Sequence, residues 1–572
     1  MVANLIERCA SAHSCPLLIK HLLDTALTRA PEQEIVYRSQ TRHSYRVFRE
    51  RVGRLASGLS KLGVEAGQTV AVMDFDSHRY LECFFAVPMM GAVLHTINVR
   101  LSPEQILYTI NHARDDIILV NSEFLPILEK IWDRVEGVKA LVLLDDGGER
   151  PKTALSLAAD YETLLAGADP DFVFPDLDED ARATTFYTTG TTGLPKGVYF
   201  SHRQLVLHTM ALRNAITGSG HGRLNDGDVY MPVTPMFHVH AWGFPYVATA
   251  LGLKQVYLGR YSPDLVLDLI AREKVTFSHC VPTILQMILA HPKAAEGMLN
   301  GWKVIVGGAA LPRALAKEAM QRGIDITTGY GMSETCPVLT LAHLRSECEG
   351  WDVDRQVEVR IKAGRPIPLV DIRVVDTEMR DVPADGTTPG EIVARAPWLT
   401  QGYLRDPVNS EKLWLGGWLH TGDIGVIGPD GYLKITDRLK DVIKTGGEWV
   451  SSLDIEDLIL KHPGVCEAAV IGIPDPKWTE RPLAIVVRKD GSSVSDCEIK
   501  TGLQDYARKG VISRYAVPDQ IVFVPALPRT SVGKLDKKVL REQFRDHAPA
   551  PSASAVSGAT RTSPAEKPTQ YA

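Results

Sequence analysis

The most informative segment of this chain is Tyr187-Thr188-Thr189-Gly190-Thr191-Thr192-Gly193-Leu194-Pro195-Lys196-Gly197. It follows a short β-like run and combines three glycines, four threonine hydroxyls and one lysine. Glycine-rich turns expose backbone N–H groups, and together with hydroxyls and a cation they suit a polyphosphate. Because Lys196 is followed by Gly197 and not by a Ser or Thr that opens a helix, the segment is not a Walker A loop. The sequence predicts a phosphate-binding loop of another type.

Alternating helical and strand-like runs surround this loop. Ser102-Pro103-Glu104-Gln105 and Ser201-His202-Arg203-Gln204 each combine a capping serine with a glutamine three residues later, which is a capping box. Ser262-Pro263-Asp264 opens a third helix, and Ala140–Leu144 and Val304–Val306 are short apolar runs typical of buried strands. Strands that alternate with helices predict an α/β fold with parallel sheets.

The pattern changes towards the C-terminus. Short β-like runs separated by Asp-Gly and Pro-Gly pairs predict a smaller, partly antiparallel unit, and they are Val357–Ile361, Val370–Val375 and Glu391–Ala394. We therefore expect a large N-terminal α/β domain of packed parallel and mixed sheets with helices and a small β subdomain (1–436). A hinge (437–441), a small α+β domain (442–547) and a disordered tail rich in Pro, Ala, Ser and Thr (548–572) would follow.

Composition and charge exclude several classes of protein. The 572 residues are 45% hydrophobic and 23% charged, which suits a core-forming chain and excludes a disordered or collagen-like one. The net charge of −6 gives no general attraction to nucleic acid or to an anionic membrane. The eight cysteines form no Cys-x-x-Cys pair, which predicts reduced thiols in a cytoplasmic protein. Residues 1–20 lack a signal peptide, and prolines and histidines interrupt the apolar stretch Val229–Leu253, so we expect no transmembrane segment.

Further motifs follow the phosphate loop in order along the chain. They are Pro235-Met236-Phe237-His238, Gly307-Gly308-Ala309-Ala310, Gly329–Thr335, Trp418–Asp423 with Asp437-Arg438, and Pro528–Lys534. Together with the loop they resemble the motifs of the acyl-adenylate-forming, AMP-binding superfamily, and the resemblance extends from about Pro16 to Phe544. It implies that superfamily's fold with a mobile C-terminal domain. It also implies an AMP-forming acyl-CoA ligase, in which an acid and ATP give acyl-AMP and pyrophosphate, and CoA then gives acyl-CoA and AMP.

In this reaction two anions must approach each other, which explains why the motifs contain cations and a candidate metal ligand. A carboxylate attacks the α-phosphate although both are anionic, so cations and a hard metal ion are needed where charge develops. The resemblance implies catalytic roles for Lys534, His238, Glu334 and Thr335, and a Mg²⁺ site at Glu334 and Thr191. It implies ATP and AMP binding by Thr188, Thr189, Gly190, Thr191, Thr192, Gly193, Lys196, Gly308, Ala309, Gly329, Tyr330, Gly331, Asp423 and Arg438.

The resemblance also implies where the other two substrates bind. The acyl pocket is expected at Trp242, Val233, Gly307, Met332 and Val338. The CoA tunnel is expected at Gly446, Gly447, Glu448 and Trp449. Lys440 matches the superfamily's hinge, about which the C-terminal domain turns between the two half-reactions.

The identity of the acid stays open between several classes. The segments His238–Gly243 and Gly446–Ser452 are most similar to those of medium- and long-chain fatty-acyl-CoA synthetases. The predicted pocket walls are apolar and offer no carboxylate to an ammonium group, which disfavours an amino acid. An aryl, short branched or methylthio-carboxylic acid is the alternative. A P-loop phosphohydrolase would need Gly-Lys-Ser/Thr, and a non-catalytic relative would lack Lys534 or Glu334.

Two further expectations come from the superfamily. Pro528–Lys534 is similar to sites that are acetylated in bacterial CoA ligases, so we expect a lysine acetyltransferase to act at Lys534. Acetylation would remove the charge that adenylation needs. Related long-chain enzymes dimerise through their N-terminal portion, which favours a homodimer here.

Overall fold

The computed structural model describes residues 4, 6–147, 151–188, 194–218, 222–445, 448–530 and 535–545. Several residues predicted for the site lie outside this part of the chain, namely Thr189, Gly190, Thr191, Thr192, Gly193, Gly446, Gly447 and Lys534. The side chains of Glu448 and Trp449 and the predicted tail, 548–572, also lie outside it.

Two large sheets form the N-terminal part of the molecule. The strands of the larger sheet are β1 Glu34–Tyr37, β2 Thr41–Ser44, β10 Val229–Pro232, β11 Lys254–Tyr257, β12 Phe277–Cys280, β13 Lys303–Gly307, β14 Asp325–Gly331, β15 Val338–Leu341 and β16 Arg365–Pro366. Their order is β16-β15-β14-β13-β12-β10-β11-β1-β2, parallel from β14 to β1 and antiparallel at both edges.

The second large sheet carries the phosphate loop. Its strands are β3 Thr69–Met73, β4 Val93–Thr96, β5 Ile117–Asn121, β6 Ala140–Leu144, β7 Ala159–Asp160, β8 Arg182–Thr188 and β9 Lys196–Ser201. Their order is β7-β6-β5-β3-β4-β8-β9. The sheet is parallel except for the β8–β9 pair, which is an antiparallel hairpin with the loop at its tip.

Two smaller sheets follow along the chain. The first is antiparallel, in the order of its strands β17 Asp371–Val375, β18 Gly390–Arg395, β19 Leu419–Ile427 and β20 Leu433–Arg438. The second contains β21 Ile443–Thr445, β22 Glu448–Val450, β23 Val465–Asp475, β24 Thr479–Arg488 and β25 Gln520–Phe523. The chain passes between these two sheets within a few residues, at the predicted hinge.

Helices cover the sheets. In the described residues they are α1 Lys20–Arg29, α2 Tyr45–Lys61, α3 His78–Met89, α4 Pro103–Ala113, α5 Leu125–Glu129, α6 Tyr161–Ala166, α7 His202–Ile216, α8 Val239–Trp242, α9 Phe244–Leu251, α10 Pro263–Glu273, α11 Pro282–Ala290, α12 Arg313–Gln321, α13 Val353–Arg360, α14 Pro407–Leu413, α15 Ser452–Leu460, α16 Asp496–Arg508 and α17 Lys537–Gln543. None of these helices is long and apolar enough to cross a membrane. The largest apolar cluster includes Phe84 of α3, Phe186 of β8 and Tyr246 of α9.

The predicted fold class and helix starts are confirmed, with one error of secondary structure. The serine caps are present, since Ser102 and Ser201 each accept the N–H of the glutamine three residues later. Val357–Ile361 was wrongly predicted as a strand and belongs mainly to helix α13. Asp352 caps this helix by accepting the Arg355 N–H at 3.0 Å, and Val357 is buried in an apolar cluster.

Candidate active site

A β hairpin holds both ends of the phosphate loop. In the β8–β9 register Thr188 faces Lys196, where the two strands lead into the loop. A later segment of the chain adds to the hairpin edge, since Tyr403 makes an antiparallel bridge with Val198. The hairpin therefore places Tyr403 beside the base of the loop.

Tyr403 contacts two of the predicted charged residues. The ammonium of Lys196 lies 4.6 Å from the centre of its ring. Its hydroxyl donates to Oε1 of Glu334 at 2.8 Å, and the Thr400 N–H donates to the Glu334 carbonyl at 3.0 Å. Burial and the nearby Glu334 carboxylate raise the pKa of Tyr403, so the phenol keeps its proton and acts as a donor. One aromatic side chain thus holds a cation and a carboxylate in the same corner of the site.

A cavity of about 390 Å³ opens beside this corner. Its walls come from α4, from residues 194–197 after the loop and from residues 403–409. Lys196 and Arg405 supply positive charge, and Arg405 is anchored by donating to the His112 carbonyl at 2.6 Å. Asp406 also lines the cavity, but its carboxylate caps α14 by accepting the Asn409 N–H at 3.1 Å. The two cations make this cavity suitable for phosphate groups.

A second polar group lies at the edge of the small antiparallel sheet. Asp423 and Arg438 are cross-strand neighbours on β19 and β20. The Tyr330 hydroxyl donates to Asp423 Oδ2 at 2.9 Å, and Arg438 Nε lies 3.4 Å from Asp423 Oδ1. Burial, followed by the Asp423 charge, raises the pKa of Tyr330. The structure therefore brings together Tyr330, Asp423 and Arg438, three of the residues predicted to bind ATP and AMP.

The ends of β13 and β14 present the predicted adenine-binding backbone. Gly308, with a φ of 79°, and Ala309 are exposed just after β13. Gly329 lies in β14 and pairs with the last residue of β13. A side chain at Gly331 would collide with the Pro337 carbonyl, so the backbone needs glycine there. This edge offers bare backbone next to Tyr330.

The hydroxyl of Thr335 is engaged within its own loop. It accepts the Met332 N–H at 3.0 Å and donates to the Met332 carbonyl at 3.0 Å and to the Pro337 carbonyl. The side chain is fully buried. The predicted catalytic role of Thr335 would therefore require this hydroxyl to exchange one of its contacts.

The predicted acyl wall is organised by a strained turn. The residues of α8, Val239 to Trp242, have φ values between 47° and 60°, so α8 is a single left-handed turn. Left-handed backbone costs about 1–2 kcal/mol per non-glycine residue, so surrounding contacts must stabilise this turn. It directs the Trp242 indole against Gly307, where a Cβ added to the glycine would lie 3.2 Å from the ring. His279 packs against the same indole, with ring centres 5.1 Å apart.

Three buried histidines near the predicted acyl wall are uncharged. His240 is completely buried against Phe84 and Phe186, and its two ring nitrogens have no hydrogen-bond partner among the described residues. Burial lowers the pKa of His208, His240 and His279 to about 3. All three rings are therefore neutral at physiological pH.

The remaining acyl-side residues do not form one continuous wall. Val338 is buried in the apolar cluster of Trp242, and Met332 packs on that cluster. Val233 instead belongs to a separate apolar cluster, together with Met231 and Val256. His238, whose catalytic role was predicted, is half-buried and directly precedes the left-handed turn.

The donor set at the predicted metal site fits magnesium. Glu334 is 6% exposed and offers a carboxylate, while the other predicted ligand, Thr191, lies outside the described residues. Mg²⁺ in proteins is typically bound by one or two carboxylates together with substrate phosphates and water. A single hard oxygen ligand held by Tyr403, which also lines the cation-bearing cavity, matches that pattern.

A second cluster has metal-ligand spacing but is far less suitable. His43, His78 and Glu82 bring their ligand atoms within 4.8 Å of one another. Arg51 Nε already donates to Glu82 at 2.7 Å, and the Tyr161 hydroxyl donates to the same carboxylate at 2.5 Å. A divalent cation would have to bind next to this guanidinium, so the cluster is a structural ion pair.

The predicted CoA and hinge residues lie in and before the last sheet. Glu448 pairs with Thr445, and Trp449 with Lys444, in the β21–β22 hairpin. Lys440 lies between β20 and this hairpin, and burial followed by Arg438 lowers its pKa. The contacts that are described do not join the hairpin to Lys196 or Glu334.

Sequence reasoning missed Tyr403 and His279. Tyr403 stands in Gly402-Tyr403-Leu404, which looks like an ordinary turn, and its role becomes visible only through contacts with distant segments. His279 lies in the apolar strand β12, where its polarity was the only signal. Its Nε2 lies 2.8 Å from the Tyr230 hydroxyl, and Phe244 stacks on its ring.

Comparison with known proteins decides the family. Residues 23–404 match the sequence family described as AMP-binding enzyme, and residues 454–534 match the AMP-binding enzyme C-terminal domain. This chain belongs to the AMP-binding enzyme family. It is similar to the long-chain-fatty-acid–CoA ligase of Thermus thermophilus, with 41% identity over 92% of this chain and 95% of that protein.

Other AMP-binding enzymes agree with this assignment. The 3-methylmercaptopropionyl-CoA ligase of Ruegeria pomeroyi is 38% identical over 93% of this chain and 98% of its own length. The crystal structure of ATP-bound MatB from Rhodopseudomonas palustris superposes with a TM-score of 0.78 and 27% identity, over 92% of this chain and 99% of that one. The chain is an acyl-CoA ligase of this family, with ATP and CoA as substrates. The predicted enzyme class is confirmed, and a P-loop phosphohydrolase is excluded.

Proposed function

We propose that this ligase activates a medium- or long-chain fatty acid at the site described above. The observation that carries the proposal is the double contact of Tyr403, which lies 4.6 Å from the Lys196 ammonium and donates to Glu334 at 2.8 Å. It places a cation and a metal-binding carboxylate at the base of the phosphate loop. That is where negative charge increases as pyrophosphate leaves.

In the first half-reaction the substrate carboxylate attacks the α-phosphorus of ATP. The bond between this phosphorus and the bridging oxygen breaks, and the electron pair leaves with pyrophosphate. Lys196 attracts the departing charge, and Asp423 and Arg438 orient the nucleotide through the ribose hydroxyls. Lys534 is proposed to bridge the carboxylate and the α-phosphate. Fixed charges of this kind act without reorganisation during the reaction.

We propose Mg²⁺ as the metal ion, held by Glu334 with Thr191. When bound, the ion neutralises phosphate charge and polarises the phosphoryl oxygens. The chain's own part is to orient its ligand, because the Tyr403 hydroxyl and the Thr400 N–H both hold Glu334. The Tyr403 hydroxyl orients the carboxylate itself, while the Thr400 N–H fixes the backbone of Glu334 through its carbonyl.

In the second half-reaction the CoA thiol attacks the carbonyl of the acyl-adenylate and loses its proton, and AMP leaves. We propose that residues 1–436 and 442–547 act as two domains joined by a hinge at 437–441 with Lys440 as its pivot. The support is that β20 ends at Arg438 and the next sheet begins at Ile443. Gly446, Gly447, Glu448 and Trp449 would then line the CoA tunnel.

The acid is proposed from the character of the acyl side. Trp242, His279 and His240 are buried and uncharged, which suits an alkyl tail. The Thermus thermophilus relative is named for long-chain fatty acids, and the Ruegeria pomeroyi relative for 3-methylmercaptopropionate. A methylthio acid is therefore the second candidate, since a thioether is also apolar and flexible.

An acid panel tests this proposal. Purified enzyme is given ATP, Mg²⁺ and CoA with octanoate, palmitate, isobutyrate, benzoate or 3-methylthiopropionate, and AMP and thioester are measured together. We expect the highest kcat/KM for octanoate or palmitate, with equal amounts of AMP and thioester. A preference for benzoate, isobutyrate or 3-methylthiopropionate would refute the fatty-acid assignment and leave the ligase chemistry intact.

Three further expectations are kept as proposals. The eight cysteines are free in the structure, which supports a reducing, cytoplasmic setting. A homodimer is proposed from the related long-chain enzymes. A lysine acetyltransferase is proposed to inactivate the enzyme at Lys534, and adenylation that survives acetylation there would refute this.

A further inference from the structure

Helix α17 carries a buried lysine that the reaction described above does not use. The Lys537 side chain is only 9% exposed, and its ammonium lies 2.7 Å from Glu456 Oε1. It also donates to the Ser452 hydroxyl at 2.6 Å. A buried charge is tolerated only with such partners, since its desolvation is otherwise strongly unfavourable. Both partners lie on α15, so Lys537 is tied to the start of that helix.

The same group of residues binds the end of the small antiparallel sheet. Asp437, in β20, is 1% exposed, and its Oδ2 accepts the Ser452 N–H at 2.6 Å. Burial raises the pKa of Asp437, and the Lys537 ammonium acts in the opposite direction. Lys537 and Ser452, from the C-terminal part of the chain, therefore stabilise a carboxylate that belongs to the preceding sheet.

A second cation on α17 reaches the other end of the connection. Arg541 is one helical turn after Lys537 and donates to Asp441 Oδ1 at 2.6 Å. Residues four apart lie on the same face of an α-helix. One face of α17 thus carries two cations near the two ends of the proposed hinge. Arg541 pairs with Asp441, and Lys537 acts on Asp437 through its charge and through their shared partner Ser452.

We propose that Lys537 is a positioning residue of this ligase. Together with Arg541 it clamps the connection 437–441 and fixes the orientation of α17 relative to Arg438, the neighbour of Asp437. Lys534 is three residues before Lys537 in the sequence, so the clamp holds the start of the helix that follows it. The inference rests on the proposed function, because the roles of Arg438 and Lys534 belong to it. A reorientation about the proposed hinge would break the hydrogen bond from the Ser452 N–H to Asp437.

The kinetic test compares Lys537→Met, Lys537→Arg and the matched control Lys538→Met, whose side chain is 48% exposed on the same helix. Two half-reactions are measured, namely acid-dependent exchange of labelled pyrophosphate into ATP and thioester formation from preformed acyl-adenylate and CoA. We expect Lys537→Met to lower kcat of the exchange about tenfold, the effect of one buried charged hydrogen bond. The KM for ATP should change less than twofold. The rate of thioester formation should fall by a factor clearly different from the tenfold loss of the exchange rate. Lys537→Arg should recover most of the exchange rate, and Lys538→Met should match the wild type.

A structural readout separates positioning from folding. Spin labels on the exposed Cys15 and Cys497, in a Cys9→Ser, Cys466→Ser background, report the distance between the two parts of the chain. We expect a broadened or shifted distance distribution for Lys537→Met and an unchanged one for Lys538→Met. If Lys537→Met unfolds the protein, the double variant Lys537→Met/Glu456→Gln, which removes both charges, replaces it with the same expectation.

Two results would overturn the clamp. One is an equal loss of both half-reactions with an unchanged distance distribution. The other is an effect of Lys538→Met as large as that of Lys537→Met. If the wild type shows no pyrophosphate exchange with any acid of the panel, the proposed function fails, and the distance measurement still decides the clamp by itself.

Discussion

The nucleotide side and the acyl side of this site are built in opposite ways. On the nucleotide side, charged residues are held by defined polar contacts, as in Tyr403 with Glu334 and Tyr330 with Asp423. On the acyl side, Trp242, His240 and His279 are buried, and the two imidazoles are neutral. Charged groups on the proposed nucleotide side are thus held by hydrogen bonds, whereas the proposed acyl side offers buried, uncharged rings that could select an acid by shape.

The largest effect should come from removing charge on the nucleotide side. Glu334→Gln keeps the size of the side chain and an acceptor for Tyr403 but removes the charge of the proposed metal ligand. We expect kcat/KM for pyrophosphate exchange to fall about 10²–10³-fold, as for other preorganised electrostatic groups. The Mg²⁺ concentration that gives half-maximal exchange should rise.

The exposed Glu411→Gln serves as the control and should leave both quantities unchanged. An unaltered Mg²⁺ titration for Glu334→Gln would show that this carboxylate is not the metal ligand.

Removing the contacts that Tyr403 makes with Glu334 and Lys196 should have a smaller effect than removing the Glu334 charge. Tyr403→Phe removes the hydroxyl that donates to Glu334 and keeps the ring beside Lys196. We expect kcat of the exchange to fall about tenfold, since a hydrogen bond to a charged group contributes about 1.5–3 kcal/mol. Tyr403→Leu, which also removes the ring, should lose more. Equal rates for the two variants would show that the ring does not contribute.

A change on the acyl side should leave nucleotide binding intact. In Gly307→Ala the new methyl group would lie 2.9 Å from the Gly329 carbonyl oxygen and 3.2 Å from the Trp242 ring. We expect kcat/KM for the acid to fall several-fold, while the KM for ATP changes less than twofold. Shorter acids should be affected least.

Gly350→Ala is the matched control because the added carbon meets open space. If Gly307→Ala raised the KM for ATP as much as that for the acid, the two sides of the site would not be separable.

The same division explains what sequence reasoning could predict. Asp423, Arg438, Lys196 and Glu334 stand in motifs with turn residues or charges, so their chemistry was visible before the fold was known. The capped helices were also predictable, because a cap is a local signal. The prediction for Val357–Ile361 was wrong because alternating apolar residues also fit a short helix, and the cap at Asp352 favours the helix.

Contacts between residues far apart in sequence account for the features that the sequence did not predict. Tyr403 acquires its role from a strand bridge to Val198 and from Glu334, which are far away in sequence. Likewise, nothing in the local sequence indicates that Val239–Trp242 forms a left-handed turn. Such features arise from tertiary packing, which local patterns do not encode.

The smallest predicted effect concerns stability on the acyl side. The pKa of His240 is lowered to about 3 by burial, so in the acid range the unfolded chain binds the proton more readily than the folded one. Stability is therefore full above pH 6.5 and falls as the pH drops towards the folded-state pKa. At pH 5 this histidine alone should reduce the free energy of unfolding by about 2 kcal/mol.

His240→Asn, which tolerates left-handed backbone, should show a correspondingly weaker pH dependence. Chemical unfolding at pH 7.5 and pH 5 measures the difference between the two proteins. Identical pH dependence would mean that His240 is accessible to protons in the folded state.

The central claim is that the charges around Tyr403 let a carboxylic acid displace pyrophosphate from ATP. Acid-dependent exchange of labelled pyrophosphate into ATP, measured without CoA, tests it most directly. We predict exchange with at least one fatty acid, loss of exchange in Glu334→Gln, and AMP rather than ADP once CoA is added. An absence of exchange across the acid panel, or release of ADP, would contradict the account.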